Sequence, residues 1–358
     1  MDNCTDMFDD CNDSSFSQFR NIMIKRNIEQ IIKKNMENQE EELDITKCQM
    51  KILPKIFKEF TWVKVFVARE NGLENLENLP PNIIALNCSR NRIVTIQENQ
   101  LPQSLIQIDI SNNRLIGLDN LPDGIETLSC TDNYIEEHNI KQLPKGLKKL
   151  DISNNKLSSV PKFNEGLMRL DISSNIVHKI DNLPDSITEL DCSSCDIKVV
   201  CKFPPKIEKF ISFYNHMIYI KEFPESLVYL DISNNNLSKI PPLPPKITFL
   251  DISKNDLHIF PDEIPETLVN LDISRNKITE IPRSIKEREH TFDSLKYDRE
   301  SNNHFGWRGG ESTINDYHGR NHIGPHFMTS PMHQSRPSFS RTSLSNPYFI
   351  NLKKKITV

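Results

Sequence analysis

Apolar and polar positions alternate in short bursts along this chain, and the bursts return at a nearly fixed interval. One burst reads Leu150-Asp-Ile-Ser-Asn-Asn155-Lys-Leu157, and the frame returns as Leu230-Asp-Ile-Ser-Asn-Asn235-Asn-Leu237 and Leu250-Asp-Ile-Ser-Lys-Asn255-Asp-Leu257. Strict alternation over a few residues predicts a strand buried on one face. Each burst ends on a polar residue at Asn71, Asn91, Asn113, Asn133, Asn155, Asn175, Asn215, Asn235, Asn255 and Asn276. Cysteine takes that place at Cys48 and Cys195, and the interval is 20 to 23 residues throughout. A period of this length predicts a solenoid, whose units bury their apolar faces only by stacking on one another. Residues 40–283 accommodate about 12 such units. Their strands are expected side by side in a parallel sheet on the concave face of an arc. The asparagines are expected to form a structural ladder, because one amide side chain offers both donors and an acceptor to the turn and to the adjoining unit.

The return segments are regular too. Proline stands eleven residues before the ladder position at Pro80, Pro102, Pro122, Pro144, Pro184, Pro204, Pro224, Pro244 and Pro265. That density excludes an outer helix and predicts an extended, polyproline-like convex face. The first unit carries Phe60 where the proline would fall, and its longer Ile56–Trp62 stretch is expected to hold a helical turn. The frame L-x-x-L-x-I-x-x-N-x-L resembles the leucine-rich repeat family. Its short L-P-x-x-L return looks like the repeats of certain bacterial effectors and of giant-virus proteins. The resemblance covers roughly residues 40 to 283 and implies an α/β-type horseshoe used for protein–protein interaction. It leaves the partner open, since this fold serves many unrelated functions.

A solenoid exposes core at both ends. Upstream, residues 1–39 combine an acidic start with Phe16, Phe19, Ile22, Met23, Ile28, Ile31, Ile32 and Met36 at helical spacing, which predicts an amphipathic capping helix. A membrane-surface or coiled-coil role for that helix is the competing reading. Downstream, Ile285, Phe292, Leu295 and Tyr297 suggest a short closing helix within 284–300. Residues 301–358 are rich in glycine, proline and serine, a composition that predicts a disordered tail. From Tyr317 onward the tail has no acidic residue against Arg320, Arg336, Arg341, Lys353, Lys354 and Lys355, so nucleic-acid or virion association through it is the alternative function. His318, His322 and His326 share a helical spacing, but Gly319, Gly324 and Pro325 argue against a helix-borne metal site.

Composition adds limits. Net charge is -5, so no overall polycationic character points to nucleic acid. No signal peptide and no apolar run of membrane-spanning length is evident, and the expected location is intracellular. Phase explains five of the eight cysteines: Cys88, Cys130 and Cys192 fall in the inward slot held elsewhere by Ile110, Ile152 and Ile232, and Cys48 and Cys195 fall on the ladder. Cys192-Ser-Ser-Cys195 therefore reads as structure rather than as a metal or redox pair. No nucleophile with an attendant base and no phosphate-binding glycine loop appears, so neither enzymatic activity nor a cofactor is expected.

Two columns of side chains are expected to project from the concave face. One runs Asp44, Val67, Asn87, Asp109, Ser129, Asp151, Asp171, Asp191, Ile211, Asp231, Asp251 and Asp272, and the other, two residues on, is mostly serine. Stacked carboxylates repel, which favours a partner with a basic surface. Around Asn215 the columns change to Ile211 and Phe213, with Tyr214 alongside and Lys209, Tyr229 and Phe249 at nearby outward positions. An apolar cluster rimmed by charge has the composition of a binding hot spot. The competing reading is that Ser212 marks an irregularity that turns these side chains inward.

Overall fold

The computed structural model describes residues 14–298, with side chains from Arg26 onward. The acidic start, the side chains of Phe16, Phe19, Ile22 and Met23, and the basic tail with its histidines lie outside that range.

Thirteen three-residue strands, from Glu42–Asp44 to Ser294–Lys296, form one parallel sheet in sequence order. The register steps from unit to unit without a slip, as in Leu190↔Phe210, Phe210↔Leu230 and Leu230↔Leu250. The central residue of each strand and the isoleucine two positions on face inward, so Leu150, Ile152, Leu230 and Ile232 are all buried. One contiguous core therefore runs the length of the solenoid. Cys88, Cys130 and Cys192 sit fully buried in the isoleucine slot, and burial pushes their thiols well up from the ordinary value.

The ladder asparagine closes each turn. The Oδ1 of Asn113 accepts from the Ile93 amide of the preceding unit at 3.0 Å, while its Nδ2 donates to the Cys88, Ile110 and Ser111 carbonyls. One buried side chain thus satisfies four backbone groups drawn from two units, and this joins the stack. At Cys195 a thiol replaces the amide and donates to the Ile172 carbonyl at 3.4 Å. The residue just before each ladder position is left-handed, with φ between 51 and 60° from Lys47 and Glu70 through to Arg275. Asparagine or aspartate takes this conformation readily and a bulky side chain does not, so Tyr214 at φ 52° is strained.

The returns are built on proline turns. The carbonyls of Pro102, Pro122, Pro204, Pro224 and Pro244 each accept the amide three residues on, at 3.1–3.2 Å. Short 3₁₀ helices occur at Lys55–Glu59, inside the longer first unit, and at Glu137–Asn139. Val199–Val200 and Tyr219–Ile220 pair as a second, two-stranded parallel sheet.

Helix α1 (Ser14–Asn38) closes the N-terminal end, with Ile28, Ile31 and Ile32 packed against the core. Met36, expected on that apolar face, is 41% exposed, and buried Asn35 takes the inward place instead. Asn35 donates to the Glu40 and Glu42 carbonyls and accepts from Trp62 Nε1 at 2.9 Å, which ties the helix to the first unit. At the other end the expected closing helix is replaced. Helix α2 (Arg283–Glu287) buries Ile285, and Leu295 lies in a thirteenth strand paired with Asn270–Asp272. Arg288 clamps this end by donating to the carbonyls of Ile264, Pro265 and Glu266, each at 3.1 Å.

Candidate functional site

Each strand leaves its first and third residues on the solvent side of the sheet. The first positions run Lys149, Arg169, Glu189, Lys209, Tyr229, Phe249, and the third positions run Asp151, Asp171, Asp191, Ile211, Asp231, Asp251. The aspartates are fixed from within. Asp231 Oδ1 accepts the Ser233 amide at 3.1 Å and its hydroxyl at 2.8 Å, and Asp151 holds Ser153 in the same way. This D-x-S contact corrects the expectation of two outward columns, because Ser153, Ser193, Ser233 and Ser253 are buried between their neighbours. The carboxylates form the accessible column, and even they are recessed: Asp171 and Asp231 are each 8% exposed. Burial, reinforced by the neighbouring carboxylates, holds Asp171 well above its ordinary value and pushes Asp231 up to about 7.

The unit around Asn215 breaks this pattern while keeping the register. Ser212 is fully buried in the isoleucine slot, where it accepts from Asn215 Nδ2 at 3.0 Å and from the Cys192 thiol at 3.4 Å. Its polar atom is satisfied in place, so the strand neither slips nor turns. Phe210 stays in the core, and Ile211 and Phe213 occupy the half-exposed outward places of Asp and Ser. The Phe213 ring meets that of Tyr214 edge to face at 5.7 Å, and Tyr214 is 53% exposed. In the first column Tyr229 and Phe249 stack with centroids 4.1 Å apart and planes 3° from parallel. Lys209 Nζ sits 4.9 Å from the Tyr229 ring centre, a cation–π contact, and Lys254 Nζ lies 6.0 Å from that of Tyr214. Arg169 and Glu189 continue the column as an ion pair at 2.8 Å. All six residues proposed from sequence thus lie on one stretch of the sheet and its edge. Burial and the nearby Asp231, Asp251 and Asp191 charges raise the Tyr229 phenol, so it stays protonated at neutral pH.

Sequence reasoning missed the Arg169–Glu189 pair and the Tyr229–Phe249 stack. Both follow from aligning the first strand positions, of which the sequence singled out Lys209, Tyr229 and Phe249 without their pairing. Among the described residues no group of three or more His, Cys, Asp or Glu side chains is placed to hold a metal ion. No described helix is long and apolar enough to cross a membrane.

This geometry is that of the leucine-rich repeat fold. The sequence profile described as Leucine Rich Repeat matches residues 146–165 and 226–246. Among solved structures, YopM from Yersinia enterocolitica WA-314 is similar at 30% identity and a TM-score of 0.59, covering 72% of this chain. The chain spans 52% of that YopM's length. An internalin (inlF) from Listeria monocytogenes is similar in fold at 18% identity and a TM-score of 0.56, covering 69% of this chain and 76% of its own. The functional domain of InlJ from Listeria monocytogenes, which includes a cysteine ladder, matches at 18% identity and a TM-score of 0.50, covering 72% of this chain and 67% of its own. No curated protein sequence matches the chain.

Proposed function

We propose that the chain is a non-enzymatic interaction scaffold that binds a protein partner on its concave face, at Lys209, Ile211, Phe213, Tyr214, Tyr229 and Phe249. The observation that carries this reading is the local break in the Asp–Ser frame. In an unbroken register, the two positions that hold an aspartate and its buried serine partner in most neighbouring units become isoleucine and phenylalanine here, and both are half-exposed. Neither substitution serves the fold, since the D-x-S hydrogen bond is lost and apolar surface is left uncovered. An exposed aromatic cluster inside a polar rim is the composition that desolvates well against another protein.

The test is capture by the full chain against the double variant Ile211→Asp/Phe213→Ser. That variant restores the frame of the neighbouring units and is expected to fold. Loss of a specific protein partner in the variant supports the reading. Capture that persists in the variant, or that nuclease treatment abolishes, overturns it, and the second outcome moves the function toward nucleic acid and the basic residues of 317–358.

A further inference from the structure

The surroundings of the apolar patch narrow the chemistry of its partner. Asp171 and Asp191 precede Ile211 in the third-position column, and Asp231, Asp251 and Asp272 follow it, so the patch interrupts a row of carboxylates. These groups are recessed below the longer first-column side chains, with Asp231 only 8% exposed. A broad surface cannot reach them, whereas a charged group at the end of a slender alkyl stem can. Both described hydrogen bonds to Asp231 end on Oδ1, which leaves its Oδ2 as an acceptor. The chain itself shows what satisfies such an oxygen. In the thirteenth strand Lys296 enters the column, and its ammonium stands 3.3 Å from Asp272 Oδ2.

Resting on the concave-face reading above, we propose that the bound segment presents a lysine or arginine next to an apolar side chain. The cation would extend to Asp231 and Asp251 while the apolar group covers Ile211 and Phe213. Two features then act together. The apolar contact contributes affinity through buried area, and the carboxylates select for sign and register. A neutral or acidic segment of the same shape would leave the recessed carboxylates buried beneath it without a counter-charge, and it is rejected on that account.

The probe is a random dodecapeptide library displayed on phage and selected on the full chain, with individual winners measured by fluorescence anisotropy. Two variants accompany it. Ile211→Asp/Phe213→Ser removes the patch. Asp191→Asn/Asp231→Asn/Asp251→Asn removes charge, and the fold tolerates it because Asn87 already fills this slot with Oδ1 accepting from the Ser89 amide and hydroxyl. The expected winners carry Lys or Arg beside Leu, Phe or Trp, lose at least about tenfold in affinity on either variant, and weaken as salt is raised. Winners that need Ile211 and Phe213 but are indifferent to the Asp→Asn variant overturn the basic-partner proposal and leave the binding site standing. Winners indifferent to both variants, or no winners at all, overturn the proposal together with the concave-face reading.

Discussion

At the scale of single residues the ladder asparagine carries most of the order. Its amide meets four backbone groups in two units, so its removal orphans buried N–H and C=O groups that water cannot reach. Asn113→Ala is expected to destabilise the protein by about 2–4 kcal/mol, read as a lower midpoint in urea denaturation. Cys195 offers the opposite test. Its thiol donates to the Ile172 carbonyl at 3.4 Å and meets the Asn175 and Val177 backbone, weaker contacts than an amide side chain makes, and burial holds it neutral with a value pushed up to about 11. Cys195→Asn should raise the midpoint, with a gain of about 0.5–1.5 kcal/mol, and an unchanged or lower midpoint would show that the cysteine is better packed than its hydrogen bonds suggest. The ladder was legible in the sequence because the same residue type returns within the same frame every 20 to 23 residues. The fate of the serines was not. Pattern alone places Ser153 and Asp151 on the same side of the strand, yet the smaller side chain is covered by its neighbours and donates to the larger one.

At the scale of the repeating unit, the strand and the proline turn could be read in advance, and the tight turn between them could not. Left-handed backbone ordinarily announces itself through glycine. Here the left-handed position holds Lys47, Glu70, Arg90, Asn112, Asp132, Ser174 and Tyr214, so no residue type marks it. The uniform φ is imposed by the ladder bonds around it rather than by local preference. The same tertiary control turns residues 292–297, which show helical spacing of apolar side chains, into a closing strand: a sheet edge offers Leu295 a register opposite Leu271. At Tyr214 this imposed conformation costs free energy and the side chain gains little burial in return, which fits a residue kept for contact with a partner. Tyr214→Asn is accordingly expected to stabilise the fold by about 0.5–1 kcal/mol while weakening capture of the partner. Thermal melts and capture assays on the same preparation check both halves, and a destabilised variant would mean that the Phe213–Tyr214 and Lys254 contacts outweigh the strain.

At the scale of the whole molecule, stacking in register brings like charges together. Asp151, Asp171 and Asp191 form one run and Asp231, Asp251 and Asp272 another, with Ile211 between them and Lys296 at the end. The sequence showed that these carboxylates line up but not how deeply they sit, and depth decides their behaviour. In the folded chain Asp231 is raised from 3.8 to about 7 by burial and then by Asp251, and Asp151 and Asp171 move in the same direction for the same reasons. A carboxyl whose value is higher folded than unfolded binds more protons in the folded state across the interval between the two. Stability must then fall as pH rises from about 4 through about 7, where the folded groups ionise against one another. The melting temperature is expected to decline across that window. Exposed ion pairs such as Lys145–Asp123 pull the Asp123 carboxyl the other way, so the whole-protein curve mixes both signs. Comparison with Asp191→Asn/Asp231→Asn/Asp251→Asn separates them. That variant should match the parent near pH 3.5, below the unfolded value, and melt higher near pH 8, because it keeps the hydrogen bond to serine and discards the repulsion. Equal melting temperatures at both pH values would mean that the column is solvated well enough to ionise without cost, and the electrostatic argument for a basic partner would weaken with it.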